Sequence, residues 1–247
     1  MMALDGLNNL NKWPLDGIDW FIAECLAHKP MVQEVNLTGS NTDPLLYKHI
    51  KELHSYLSEH MKELKFGIRT NGVMAIEMHD VIQLFNHEVS ISFPSFDNEH
   101  YQKMMGHGVP PNIKEIHEIV PSVTKVNIVL SPFIVDDGDI YDTIDKLIEI
   151  GVEKINLREP YGQPFVGNPI KTKESFRRFN MPVYLFGNTE IMYWDVHTVE
   201  VESINLYANG NVSTTYPVTK GHLPNDGGIV NDQSHWGQHK RHVLQWQ

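Results

Sequence analysis

The chain has 247 residues, 41% of them hydrophobic and 21% charged, an ordinary globular balance for one domain of barrel size or one domain with an appendage. Its 31 acidic and 20 basic residues leave a net charge of −11, which argues against nucleic acid as a partner, because Lys and Arg supply most non-specific affinity for phosphate backbones. No run of about 18 apolar residues occurs, so no membrane partner is expected, and the single cysteine, Cys25, excludes an intrachain disulfide and points to a cytoplasmic protein.

The opening residues, Met1-Met2-Ala3-Leu4-Asp5-Gly6, carry neither a basic region nor a long apolar run, so no signal peptide is expected. Residues 21–26 fall inside a predicted helix, with Cys25 there as a small buried apolar side chain. Residues 32–38 predict a strand and 45–60 a helix, with Ile50, Leu53, Leu57 and Met61 on one face. A strand at 66–70 ends in Asn71-Gly72, and a helix at 75–85 follows. Residues 88–93 predict the next strand, followed by helical material that Pro110-Pro111 interrupts. A strand at 125–130 precedes a helix at 140–150, which Gly151 stops. Strands at 154–157 and 182–186 complete the set. From about His197 the pattern changes. Residues 199–207 and 212–217 flank Ala208-Asn209-Gly210-Asn211, a β-hairpin signal, and from His222 the chain reads as a polar, irregular tail. His235, His239 and His242 with Asp232 have part of a metal-ligand spacing, but Gly237 breaks the helix they would need, so no metal site is expected there.

Strand and helix in alternation mean parallel strands with right-handed crossovers, hence an α/β sheet or barrel. The strands alternate within themselves too: Val35 and Leu37 against Glu34, Asn36 and Thr38; Val89, Ile91 and Phe93 against Ser90 and Ser92; Val126 and Ile128 against Asn127; Ile155 and Leu157 against Asn156 and Arg158. Strands buried on both faces should be nearly all apolar. If helices cover the apolar face, the other face lines a polar lumen, which needs a polar ligand or water to satisfy it.

Four segments carry a resemblance. Leu37-Thr38-Gly39-Ser40-Asn41-Thr42-Asp43-Pro44-Leu45-Leu46 resembles the segment after the second barrel strand of the radical S-adenosylmethionine (SAM) superfamily. Arg69-Thr70-Asn71-Gly72 is similar to the Thr-Asn-Gly after that family's third strand, and Val89-Ser90-Ile91-Ser92-Phe93 resembles its fourth. Gly151-Val152-Glu153-Lys154-Ile155-Asn156-Leu157-Arg158 resembles the entry to the sixth. The resemblance implies a partial (β/α)6 TIM-like barrel missing its first strand over residues 1–190, with a C-terminal β-hairpin and irregular tail, 191–247, packing on it.

It also implies a SAM site. Gly39, Ser40, Asn41 and Asp43 would meet the methionine amino group, Ser90 and Ser92 the ribose, and Asn127 and Arg158 the carboxylate or the substrate. The first turn is longer than the family's Gly-Gly-Glu-Pro and carries Asp in place of Glu. Residues 41–44 would equally cap a helix starting near Leu45, and Glu159 could pair Arg158 in place of a ligand.

The family's chemistry starts at a 4Fe–4S cluster held by three cysteines, usually CxxxCxxC, and one cysteine cannot supply them. Because the first recognisable strand corresponds to the family's second, the expectation is an N-terminally truncated chain whose cluster loop lies before Met1. A small-molecule or peptide substrate and an electron donor would then be its partners. Two alternatives stand beside it: a cluster-free nucleotide-binding or scaffold homologue, and an ordinary (β/α)-barrel lyase or hydrolase using Glu159, Asp97 and His87.

Overall fold

A computed structural model describes residues 11–29, 31–39, 42–106, 108–160, 166–195, 203–207, 210–213 and the backbone of 240–246. In chain order its elements are α1 (Ile18–Ala27), β1 (Val32–Gly39), a 3-10 turn (Pro44–Leu46), α2 (Ile50–His60), β2 (Lys65–Thr70), α3 (His79–Ile82), β3 (Glu88–Ser92), α4 (Asn98–Met105), α5 (Ile113–Ile119), β4 (Thr124–Val129), α6 (Pro132–Asp136), α7 (Asp139–Ile150), β5 (Lys154–Arg158), β6 (Phe176–Arg178), β7 (Met181–Phe186), β8 (Thr189–Trp194), β9 (Asn205–Leu206), β10 (Val212–Ser213) and β11 (Lys240–Trp246). The fold is α/β, and its strands pair mostly in parallel. Among the described residues no helix is long and apolar enough to cross a membrane.

One compact unit takes in residues 1–70, 78–89 and 201–247, with strand order β10-β9-β11-β1-β2. β1 pairs in parallel with β2 on one edge and with β11 on the other. The stretch expected to be an irregular tail therefore includes a strand. The backbone explains it: an uncovered edge of β1 leaves a row of N–H and C=O groups without partners, and the backbone of Lys240–Trp246 supplies them. β9 and β10 pair antiparallel, with Val212 opposite Leu206 and Ser213 opposite Asn205. Gly210, at φ +84°, packs against the start of α1: a Cβ there would fall 2.5 Å from that of Asp16, and one on Gly17 would fall 2.2 Å from the Gly210 carbonyl oxygen. Only glycine allows that approach.

Two helices of this unit are shorter than their periodicity predicts. Ile50, Leu53, Leu57 and Met61 are buried as expected, but α2 starts at Ile50. The preceding residues form the separate 3-10 turn, closed by Tyr47 in extended backbone, and the Tyr47 hydroxyl donates to the Lys12 carbonyl at 2.6 Å. Of the helix expected at 75–85, only His79–Ile82 is helical; turns bury Ala75 and Phe85 without it.

The second compact unit takes in residues 71–77 and 90–200, with strand order β3-β4-β5-β8-β7-β6. β4, β5 and β8 are parallel, while β8, β7 and β6 form an antiparallel meander. The strand expected at 182–186 thus lies one place further out, and β8 is the neighbour of β5. Tight turns dictate this. Phe179 and Asn180 have φ of 53° and 61°, the paired left-handed residues of a two-residue hairpin turn, and Gly187 has φ 60° at the first position of the next. The β7–β8 ladder begins at Val183, so Pro182 need not donate to it.

α7 shows the local logic plainly. Ile140, Thr143, Ile144 and Leu147 are buried at helical spacing, and burial of each aliphatic chain contributes roughly 1.5–3 kcal/mol. Gly151 then adopts φ +96°; its N–H reaches the Ile148 carbonyl and that of Val152 the Leu147 carbonyl, ending the helix where expected.

Candidate functional site

In each unit, strand register sorts side chains onto an apolar and a polar face. In the first unit Val35 lies opposite Phe66 and Leu37 opposite Ile68, while Asn36 lies opposite Gly67 and Thr38 opposite Arg69. On this polar face Glu34, Asn36 and Thr38 are buried and Arg69 is half-buried. Asn36 is fully buried, with its amide over Gly67, where a Cβ would fall 2.3 Å from Oδ1. Its Nδ2 donates to Glu34 at 3.0 Å, and the other Glu34 oxygen lies 2.7 Å from His87 Nε2. Asp43 is likewise engaged. It caps the 3-10 turn by accepting the Leu45 N–H at 3.0 Å, and it accepts the Thr70 hydroxyl at 2.8 Å. The capping role weighed for this residue is therefore realised.

The second unit differs. Asn127 lies opposite Asn156 and Val129 opposite Arg158, and across the next ladder Arg158 lies opposite Trp194. Asn127 Nδ2 donates to Ser90 Oγ, and Ser90, Asn127 and Asn156 are all buried. One pleat nearer the strands' carboxyl ends the same face opens: Ser92 is exposed, Val129 is 37% exposed and Arg158 is half-buried. A valine that open in the middle of a sheet is informative, since the apolar face beneath it, with Val126, Ile128, Ile155 and Leu157, is at most 1% exposed. The result is a polar floor with an open upper row. The Arg158 guanidinium lies 5.8 Å from the centre of the Trp194 ring, a cation–π contact that orients it along that row.

Glu159 turns to the other side. It is 2% exposed and accepts the Tyr193 hydroxyl at 2.7 Å, the Val166 N–H at 3.0 Å and the Gly167 N–H at 2.7 Å. Burial, then the Glu159 carboxylate, push the Tyr193 phenol well above its ordinary range, so it stays a donor.

Of the residues expected in a ligand site, Ser90 and Asn127 are in direct contact, and Ser92 and Arg158 stand on the open row of the same unit. Gly39 and Asp43 belong to the first unit. Ser40 and Asn41 lie outside the described residues, as do Asp232, His235 and His239; of His242 only the backbone is described. Asn156 and Trp194 were not singled out from sequence as site residues. Trp194 was missed as a site residue because the strand that carries it, β8, was not expected from sequence.

Each of the residues considered for hydrolase or lyase chemistry has partners of its own. Glu159 is held by its three donors, His87 by Glu34, and Asp97 caps α4 by accepting the N–H groups of Glu99 and His100 at 2.8 and 2.9 Å. An iron–sulfur cluster does not fit these residues either. Cys25 is fully buried in α1, and burial, then the neighbouring Glu24 charge, push its thiol up to about 12, away from the thiolate that iron requires. The sequence matches no protein-family model, and no curated protein matches it significantly.

Proposed function

We propose that this protein is an incomplete (β/α) barrel of radical SAM type that binds SAM, or a nucleoside of that kind, at the carboxyl ends of β3, β4 and β5. The single supporting observation is the open row of Ser92, Val129 and Arg158 above the buried floor of Ser90, Asn127 and Asn156. In parallel sheets, ligands sit at the strands' carboxyl ends. Arg158, aligned on Trp194, offers a planar fork suited to a carboxylate, and Ser92 offers a hydroxyl to a ribose. Gly39, Ser40, Asn41 and Asp43 enter through the sequence resemblance alone. On the same proposal, β11 takes the edge of β1 where the family's first strand would stand. SAM supplies an adenosyl group for radical chemistry only where a cluster reduces it, and the cluster's thiolates, with an electron donor and a substrate, must come from beyond these 247 residues, which hold one cysteine. No observation favours a second function over this one.

Calorimetric titration of the 247-residue protein with SAM and S-adenosylhomocysteine is the test. Saturable binding is expected, with a thermal stabilisation of about 2.7 kcal/mol at 100 times Kd. Arg158→Ala should weaken binding by about tenfold, the value of one charge-assisted contact. No heat of binding at millimolar nucleoside, or unchanged affinity in the variant, would remove this site from the protein.

A further inference from the structure

In the second unit, one imidazole ties α4 to the turn between α6 and α7. His100 Nε2 lies 3.1 Å from Asp137 Oδ2, and Nδ1 lies 3.0 Å from Asp139 Oδ2. Asp137 closes α6, and Asp139 opens α7 one residue beyond Gly138, whose φ of +78° turns the chain so that both carboxylates meet one ring.

The geometry selects a protonation state. A neutral imidazole has one N–H, so with a carboxylate at each nitrogen the other lone pair would face an anion. Imidazolium presents N–H at both. The Asp139 contact lies off the direction of its N–H, so there the attraction is chiefly one of charge, while Asp137 accepts a directed bond.

The other charged groups nearby do not reverse this. Asp97, at the cap of α4, adds a third negative charge. The nearest cation on the same helix, Lys103, is paired with Glu99 at 2.8 Å and reaches over the Phe133 ring of α6 at 5.6 Å. Phe133 also packs on His100, with 5.6 Å between ring centres. Burial pulls the His100 pKa down, but the Asp139 contact and the charges of Asp139, Asp97 and Asp137 outweigh it and leave it above that of free histidine.

We propose that His100 is a proton-operated clasp: protonated, it holds α4 to Asp137 and Asp139, and on losing its proton it lets α4 go. The sign follows from linkage. With the folded pKa above the unfolded one, the stabilisation is complete below the free-histidine value of about 6.5 and is lost as pH rises through the folded value. The clasp joins the connections that follow β3 and β4, and it does not depend on the proposed ligand.

The test is a histidine NMR titration of the full chain, with amide hydrogen exchange of α4 at pH 6 and pH 8 corrected for intrinsic rates. His100 should titrate above free histidine, and α4 protection should fall several-fold at the higher pH. His54 gives an internal reference. It is wedged between Phe66 and Phe85, with ring centres 5.4 and 5.0 Å away, and burial lowers its pKa. Asp139→Asn should lower the His100 titration point, and His100→Gln should flatten the pH dependence of α4 exchange. A His100 titration at or below the free value, or α4 protection equal at both pH values in the unaltered protein, would overturn the clasp.

Discussion

Two polar surfaces of this protein look alike in sequence and differ in exposure. In the first unit Glu34, Asn36 and Thr38 are buried on the polar face, where Asn36 donates to Glu34 and Glu34 meets His87, while Asp43 and Thr70 form a separate bonded pair. In the second unit the same kind of face is closed only at its floor, and Ser92, Val129 and Arg158 stand open above it. Polar alternation along a strand therefore does not by itself mark a ligand site. What separates the two is exposure: Thr38 is buried at the position along its strand where Ser92 is exposed. Removing a satisfied group should cost stability and leave binding to the rest of the fold, whereas removing an open one should cost binding and little else.

The largest expected effect belongs to Glu159, which directly follows Arg158 at the end of β5 but is buried. Glu159→Ala would leave the Tyr193 hydroxyl and the Val166 and Gly167 N–H groups without their acceptor. A stranded buried donor such as the Tyr193 hydroxyl costs about 1–3 kcal/mol and the two half-buried N–H groups less each, so a loss of roughly 2–4 kcal/mol is expected in urea unfolding. A loss under about 1 kcal/mol would mean the carboxylate is not the closed group its bonds indicate.

Asp43 sharpens the comparison, since sequence leaves it between two roles. As the acceptor for Leu45 N–H and Thr70 hydroxyl it belongs with the closed groups, and Asp43→Ala should cost about 2 kcal/mol of stability. Thr70→Val in the same background should add little, because the two substitutions remove one shared bond. Fully additive losses would show that Asp43 and Thr70 act separately.

Much of this organisation was legible from sequence. The alternation of Val35 and Leu37 with Asn36, and of Val126 and Ile128 with Asn127, fixed which face each side chain takes, because a strand's period leaves no third choice. The Gly151 stop and the capping option at Asp43 were legible for equally local reasons. The outer strands were not. The Phe179-Asn180 turn lacks the glycine that advertises a left-handed hairpin, so β6 left no mark; β7 was expected at 182–186, but β8 beyond it went unassigned, with Trp194 on it. β11 depends on an uncovered strand edge about 200 residues earlier in the chain, a non-local cause that no window of sequence contains. The difference between the closed and open faces is also non-local: Thr38 and Ser92 are hydroxyl residues in the same alternating pattern, yet one is buried and the other exposed.

Ser90 and Ser92 bring the comparison to its smallest scale, two hydroxyls on one strand and one face. Ser90 is 1% exposed and accepts from Asn127, so Ser90→Ala leaves a buried amide donor without its acceptor and should cost about 1–2 kcal/mol. Ser92 is exposed, and Ser92→Ala should change stability by less than about 0.5 kcal/mol. In the nucleoside titration the order should reverse: Ser92→Ala weakens affinity several-fold, while Ser90→Ala, once corrected for its lower stability, leaves it within about twofold. The pair discriminates because residue type, strand and face are held constant and only the distance from the carboxyl end changes. Equal stability losses would mean that the floor and the open row are one continuous surface. Equal affinity losses would mean that the ligand reaches past the row into the floor, and the contrast between the closed and open groups would then have to be redrawn one pleat deeper.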